Sequence, residues 1–315
     1  MSLETPAPDL VRRFIVENRP VRGHWVRIAA AWRALREHQH HPAPVRELLG
    51  QAVSASVLLA STLKFRGTLT LQLHGDGAAR MLVAQCTHDF GVRALVRLGE
   101  GLPELPETGV EAGSGLTPEL FRRLVGAEGR IVVTIEAAER GQRYQGIVPL
   151  AGRSLAECLE TYFASSEQLP TRVRLAANDT HAAGVLIQKL PESAAHQPAE
   201  GIDSAWAEAQ RGMVSVDRLE LLSAPIEEVL ARNFGGRDLR LFRGDPVRFE
   251  CRCDPQRVVG LLKALGPEEV RDVLNEQGSV TVTCDFCNRP YRFDAVDVER
   301  LFVTGAAPGA SPSVH

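Results

Sequence analysis

At 315 residues the chain is long enough for about two domains, and 44% hydrophobic residues suffice for a core. A formal net charge of −3 and an aromatic content of 5% give no general pull toward nucleic acid or anionic lipid and few rings for base stacking. No apolar run approaches the ~20 residues of a membrane span, and MSLETPAPDL lacks the basic and apolar regions of a signal peptide. A reducing cytosol is therefore expected, and there close cysteine pairs read as metal or redox chemistry rather than structural disulfides.

The chain opens with strand-like pieces (DLVRRFIV, PVRGHWVRI) and passes into a helix ending near His38. His38, His40 and His41 of the HQHH run then read as a solvated helix end stopped by Pro42, since cations and proline both belong there. In PVRELLGQAVSASVLLASTLKF, residues Val45, Leu48, Leu49, Ala52, Ser56, Leu59, Ala60 and Leu63 recur at helical spacing. This predicts the central helix of the first domain, buried against a sheet. A strand meander is expected over 67–98, with turns at Gly75 and Gly77 and without the glycine spacing that would seat a phosphate. Cys86 falls in one of its strands as a small hydrophobe.

Residues 99–129, rich in Gly, Pro and Glu, read as a long surface connection. RIVVTIEA and QRYQGIVPL predict a hairpin. SLAECLETYFASSEQLP predicts an amphipathic helix with Leu155, Cys158, Leu159, Tyr162 and Phe163 inward, and Cys158 as core rather than nucleophile, because no histidine or acid stands beside it in a catalytic spacing. TRVRLAAN and GVLIQKLP should close the sheet. ESAAHQPAEG is a polar linker. Beyond it, short helices take apolar faces from Trp206, Met213, Leu219, Leu222, Ile226, Val229 and Leu230. They hold too little core to stand alone and should lie on the first domain.

The last quarter carries the chemistry. Cys251 and Cys253 stand in CRC, and Cys284 and Cys287 in CDFC. Two close cysteine pairs separated by a helix-length insert have the spacing of a four-thiolate zinc site, which leaves no open position for a substrate. In VRFECRC the alternation of Val247, Phe249, Cys251 and Cys253 with polar residues predicts a strand presenting both thiols on one face. The alternation of Val280, Val282 and Cys284 predicts a second strand, after which CDFC turns Cys287 back toward the same point. All nine histidines lie outside 251–303, so the expected donors are four thiolates. Asp254-Pro255 starts a helix with Val258, Val259, Leu261, Leu262 and Leu265 as its buried face. EEVRDVLNEQG gives a second helix, and RPYRFDAVDVERLF a strand and a last helix.

These motifs together, namely C-x-C then C-x-x-C at this separation, CDFCNRPYRFDAVDVE, LKFRGTLTLQLHGDG and YQGIVPLAGRSLAECLETYFASSEQLPTR, resemble the heat-shock protein 33 family, the bacterial redox-regulated holdase chaperones. The resemblance runs over nearly the whole chain. It implies a compact first domain, a helical linker and a small C-terminal domain holding one zinc ion per chain, in the reduced state, through Cys251, Cys253, Cys284 and Cys287. It further implies that oxidation joins Cys251 to Cys253 and Cys284 to Cys287, releases zinc, unfolds the switch region and exposes apolar surface to unfolding client proteins without ATP. The active form would be a homodimer. No role passes to Cys86 or Cys158.

The expected fold is thus α+β: an N-terminal α/β domain with a mixed sheet and central helix (1–191), a helical linker region (192–234), a C-terminal zinc-binding redox-switch domain (235–303) and a disordered tail (304–315). The expected function is that of a cytoplasmic chaperone without enzymatic activity, nucleic-acid partner or membrane. A nucleic-acid-binding zinc ribbon is a rival, but 251–303 carries seven basic against nine acidic side chains, the wrong sign for phosphate. A thiol oxidoreductase using CDFC, or a zinc hydrolase, is another. A redox motif of that kind opens a helix, whereas CDFC precedes Pro290 and a strand-like run.

Overall fold

In a computed structural model the described residues are 9–17, 20–37, 39–99, 115–137, 143–191, 202–234 and 239–303. His38, the polar linker before residue 202 and the tail after 303 lie outside them. In chain order the elements are β1 (Leu10–Val16), β2 (Val21–Ile28), α1 (Ala30–Arg36), α2 (Ala43–Thr62), β3 (Gly67–His74), β4 (Ala79–Thr87), β5 (Gly91–Leu98), α3 (Pro118–Val125), β6 (Arg130–Ala137) and β7 (Arg143–Pro149). There follow α4 (Leu155–Tyr162) with a π-helical turn Phe163–Glu167, β8 (Thr171–Ala177), β9 (Ala182–Lys189), α5 (Ile202–Ser215), α6 (Arg218–Ser223), α7 (Ile226–Phe234), β10 (Leu239–Leu241), β11 (Asp245–Pro246) and β12 (Arg248–Phe249). The last group is α8 (Pro255–Leu265), α9 (Pro267–Gln277), β13 (Val280–Thr283), β14 (Pro290–Phe293) and α10 (Ala295–Val303).

Two sheets, rather than the single sheet expected, clasp α2. One runs β10-β1-β2-β9-β8, with β11 also on β1, and the other β12-β5-β4-β3-β6-β7. Every pairing in them is antiparallel except β12 with β5. Every residue of α2 from Glu47 to Ala60 is buried. A helix covered on all sides needs apolar or small residues all round, and the Leu/Val/Ala/Ser composition supplies them. Leu48, Leu58 and Leu59 pack with Leu69, Leu71, Leu82 and Cys86 of one sheet and with Val26, Ile28 and Leu186 of the other.

The first sheet is apolar on both faces, which follows from the two-residue strand period. In β9, Ala182 and Leu186 face the central helix, while Ala183, Val185 and Ile187 face outward into a second cluster. There Trp206, Met213, Leu222, Ile226, Val229 and Leu230 of α5–α7 cover Phe14, Trp25 and their neighbours. The short helices therefore dock on the first unit's sheet. Leu219 departs from its expected inward position and is 53% exposed; Leu221 takes the buried place. Gly23 leaves room for the Phe14 ring, which a Cβ there would meet at 2.0 Å.

The 99–129 stretch is not wholly a connection. It contains α3, capped by Thr117, whose hydroxyl accepts the Leu120 amide at 3.2 Å, with Leu120, Phe121, Leu124 and Val125 buried. The chain separates into two compact units, Met1–Glu250 and Cys251–His315. Residues 239–249, grouped with the cysteine domain in the sequence reading, pair through β10, β11 and β12 into the sheets of the first unit. No helix among the described residues is long and apolar enough to cross a membrane.

Candidate metal centre

The second unit is small. Its buried core is Leu262, Val270, Val280, Tyr291, Phe293 and Val298, with Cys253 and Cys284 packed against it. Helix α8 buries Leu262 in that core and packs Val258 and Val259, half-buried, against it, whereas Leu261 and Leu265 of its expected buried face are 52% and 54% exposed. Asp254 caps α8, accepting the Gln256 amide at 2.9 Å. An Arg271–Glu299 pair, with two hydrogen bonds of 2.9 and 3.1 Å, ties α9 to α10.

The four cysteines singled out by spacing converge on one point. All four sulfurs lie within 4.8 Å of one another. Cys251 Sγ is 3.7 Å from Cys284 Sγ, and Cys253 Sγ is 3.6 Å from Cys287 Sγ. In a tetrahedron with metal–sulfur bonds of about 2.3 Å, neighbouring sulfurs stand roughly 3.8 Å apart, so the thiols are spaced to hold one metal ion. Among the described residues no other group of three or more His, Cys, Asp or Glu side chains is so arranged.

The second pair is built as expected. Strand β13 ends at Thr283, and the turn after it is closed by Cys284 N–H donating to Arg289 O at 3.0 Å and Asn288 N–H to Cys284 O at 2.8 Å. Asn288 adopts a left-handed φ of 51°, a conformation asparagine tolerates, and this turns the chain so that the Arg289 carbonyl reaches back to the Cys284 amide and closes the loop that carries Cys287. The first pair is built differently from expectation. Regular strand ends at Phe249, and Cys251 and Cys253 lie in irregular backbone ahead of α8. Two thiols that must meet two others at one point cannot both keep the flat alternation of a strand.

Burial, followed by contact with the neighbouring thiols, pushes the pKa of Cys251 up, and burial does the same at Cys287. Burial opposes ionisation of Cys253 too, but Tyr291 and the other thiols outweigh it and hold that pKa below the ordinary thiol range. Four thiolates within 4.8 Å of one another would repel strongly, and a cation held among them would offset that repulsion. Tyr291 escaped the sequence reading. Its hydroxyl is buried without a hydrogen bond of normal geometry, and the ring lies in β14 opposite Val282. The Tyr-Arg-Phe alternation of β14 was the available signal, since it places Tyr291 and Phe293 on the core side. The remaining cysteines are elsewhere: Cys86 in β4 and Cys158 in α4 are fully buried in the first unit's core. His40 is exposed and His41 half-buried before α2.

Comparison with known proteins agrees with the fold. The family model described as Hsp33 protein matches residues 9–294. The 33 kDa chaperonin of Methylobacillus flagellatus is 39% identical over 297 residues, covering 94% of this chain and 95% of its own. That of Chromobacterium violaceum is 38% identical over 308 residues, 98% of each chain. The crystal structure of a 33 kDa chaperonin (heat shock protein 33 homolog) from Thermotoga maritima matches with a TM-score of 0.75 at 24% identity, over 94% of this chain and 98% of that one, and bears on the fold alone. The relatives are named as chaperonins, not as enzymes. With a family match from the first strand to the start of the last helix and relatives similar over almost their entire length, the chain belongs to the Hsp33 protein family.

Proposed function

We propose that this protein is a redox-regulated, ATP-independent holdase of the bacterial cytoplasm, whose switch is the four-thiol centre. The observation that carries this reading is the convergence of Cys251, Cys253, Cys284 and Cys287 within 4.8 Å on a unit with little core of its own. A closed set of four thiolates suits zinc in a structural site. When bound, one zinc ion would hold the sulfurs as thiolates and supply much of the unit's folding energy, on the order of 10 kcal/mol or more in zinc-finger peptides.

Thiolates are the nucleophilic form of cysteine. Under peroxide, one sulfur of a pair becomes a sulfenic acid with loss of water, and its partner displaces the hydroxyl as a second water, leaving one disulfide per peroxide consumed. The pairs we assign are Cys251 with Cys253 and Cys284 with Cys287. Sulfur contacts of 3.7 and 3.6 Å join one pair to the other, so closing either disulfide pulls sulfurs out of these contacts and disrupts the cluster. The unit then loses its metal and unfolds, the docked helices loosen, and apolar surface becomes available to unfolding client proteins. Dimerisation accompanies activation. The direct test measures zinc content and suppression of client aggregation on one sample before and after peroxide with mild heat. One zinc per chain, lost as suppression appears, is expected, and the same result from Cys86→Ala and Cys158→Ala proteins. Nitrogen or oxygen donors in the metal-edge spectrum, or suppression indifferent to oxidation, would overturn the reading.

A further inference from the structure

The helices α5–α7 are tied to the body of the first unit by several polar contacts, and these differ in kind. Arg12 meets Glu227 at 2.6 Å and Lys189 meets Asp203 at 2.6 Å, but the acids are 61% and 95% exposed. Such pairs contribute little. Arg218 of α6 and Glu47 of α2 stand apart, with side chains only 16% and 3% exposed. Arg218 Nη2 lies 3.3 Å from Glu47 Oε2, and its Nε donates to Glu47 Oε1 at 3.4 Å. The same guanidinium donates to Ala177 O, at the end of β8, at 2.5 Å. Gln51, one turn along α2, donates to Glu47 Oε1 at 3.2 Å. Gly115 closes over the pair with φ +69°, and a Cβ there would stand 2.9 Å from Arg218 Nε and 3.0 Å from Glu47 Oε1.

We propose that the Glu47–Arg218 pair is a latch that makes docking of α6, and with it the covering helices, conditional on both charges being present. The proposal rests on the reading above that release of these helices activates the protein. A buried ion pair stabilises little relative to apolar residues of the same size, yet removing one partner strands the other charge in a dry site at high cost. The stranded charge reaches water most readily by lifting α6, which is only six residues long and depends on its contacts to stay helical. Loss of Glu47 is the harsher change, because arginine cannot shed its charge, whereas the Glu47 carboxyl, its pKa already raised by burial, accepts a proton more easily. Removing both charges takes the penalty away. The pair therefore specifies the docked state more than it stabilises it.

The test uses full-length, reduced, zinc-loaded protein carrying Glu47→Leu, Arg218→Met or both. Hydrogen exchange at the Leu219–Leu222 amides should speed up about a hundredfold or more in Glu47→Leu and less in Arg218→Met. The double variant should return to near the wild-type rate, while β3 and β4 amides stay protected and zinc content is unchanged throughout. Should Glu47→Leu fail to fold, Glu47→Gln is read by the same criterion. Single variants that exchange like wild type, or a double variant as open as the singles, would overturn the latch. Client aggregation assays without oxidant separate the two claims. Opened helices without client binding would leave the latch standing and remove the chaperone reading of their release. Unchanged exchange in Glu47→Leu, with normal activation of the wild type by oxidant, would do the reverse.

Discussion

His24 sits on β2 at 3% exposure, with Ser61 Oγ 2.8 Å from its Nδ1. Burial, reinforced by the neighbouring Arg22 and Arg13 charges, lowers its pKa to about 3. The folded protein thus holds the ring neutral while an unfolded chain would protonate it near the ordinary histidine pKa of about 6.5. A depressed folded pKa gives stability that is fully present above about 6.5 and is lost progressively as pH falls toward the folded value, with a slope of up to about 1.4 kcal/mol per pH unit. His24→Gln should remove that slope, so the gap in urea midpoint between variant and wild type should change steadily from pH 7 to pH 5. A gap independent of pH would mean that His24 is not held neutral. The fully buried thiols behave in the same sense: burial pushes Cys86 and Cys158 up, away from the reactive thiolate form. Burial also raises Cys251 and Cys287, so what separates the two sets is access: Cys86 and Cys158 are enclosed, while the four cluster thiols are half-buried.

Among the elements, α3 shows what a composition-based reading overlooks. Its surroundings are rich in glycine and proline, and that masked a local pattern: Thr117-Pro118-Glu119 as cap and first turn, then apolar residues at 120, 121, 124 and 125. Thr117→Ala removes the hydroxyl that accepts the Leu120 amide and should cost about 1 kcal/mol of the first unit's stability with zinc content unchanged. A thermal midpoint equal to wild type would show that the cap is replaced by water. The central helix was legible because an unbroken run of Leu, Val, Ala and Ser can only be buried. The strands were legible from alternation. Their assembly into two sheets was not, because β2 pairs with β9 and β1 with β10 across most of the chain, and such registers leave no local trace. In α8 the periodicity identified a face but not its coverage, since a core of so few side chains fully encloses only Leu262 and leaves Val258 and Val259 half-buried and Leu261 and Leu265 exposed. The cysteine cluster was legible from spacing alone; the irregular backbone of Cys251 and Cys253 and the place of Tyr291 required coordinates.

At the scale of the whole molecule, the covalent route between the docked helices and the cysteine unit is short and thinly paired. After α7 the chain returns through β10 on β1, then β11 on β1 and β12 on β5, the last two only two residues long each. Glu250 N–H donates to Val92 O at 2.9 Å, and Cys251 follows at once. A ligand that binds only the folded state stabilises whatever that fold holds in place. If zinc folds the second unit, its loss leaves an unfolded segment pulling on two-residue strands with few pairings to resist it. Fraying should begin at residues 239–249 and weaken the hold on α5–α7, whose own apolar cluster and buried ion pair then set how far the opening spreads. Replacing Cys284 and Cys287 by Ser should therefore, even in reductant, remove zinc, strip exchange protection from 251–303 and then 239–249, and speed exchange across α5–α7. Client binding should no longer need an oxidant. Equal protection of the α5–α7 amides with and without zinc would show that the coupling is absent, and the switch would have to act through the cysteine unit alone.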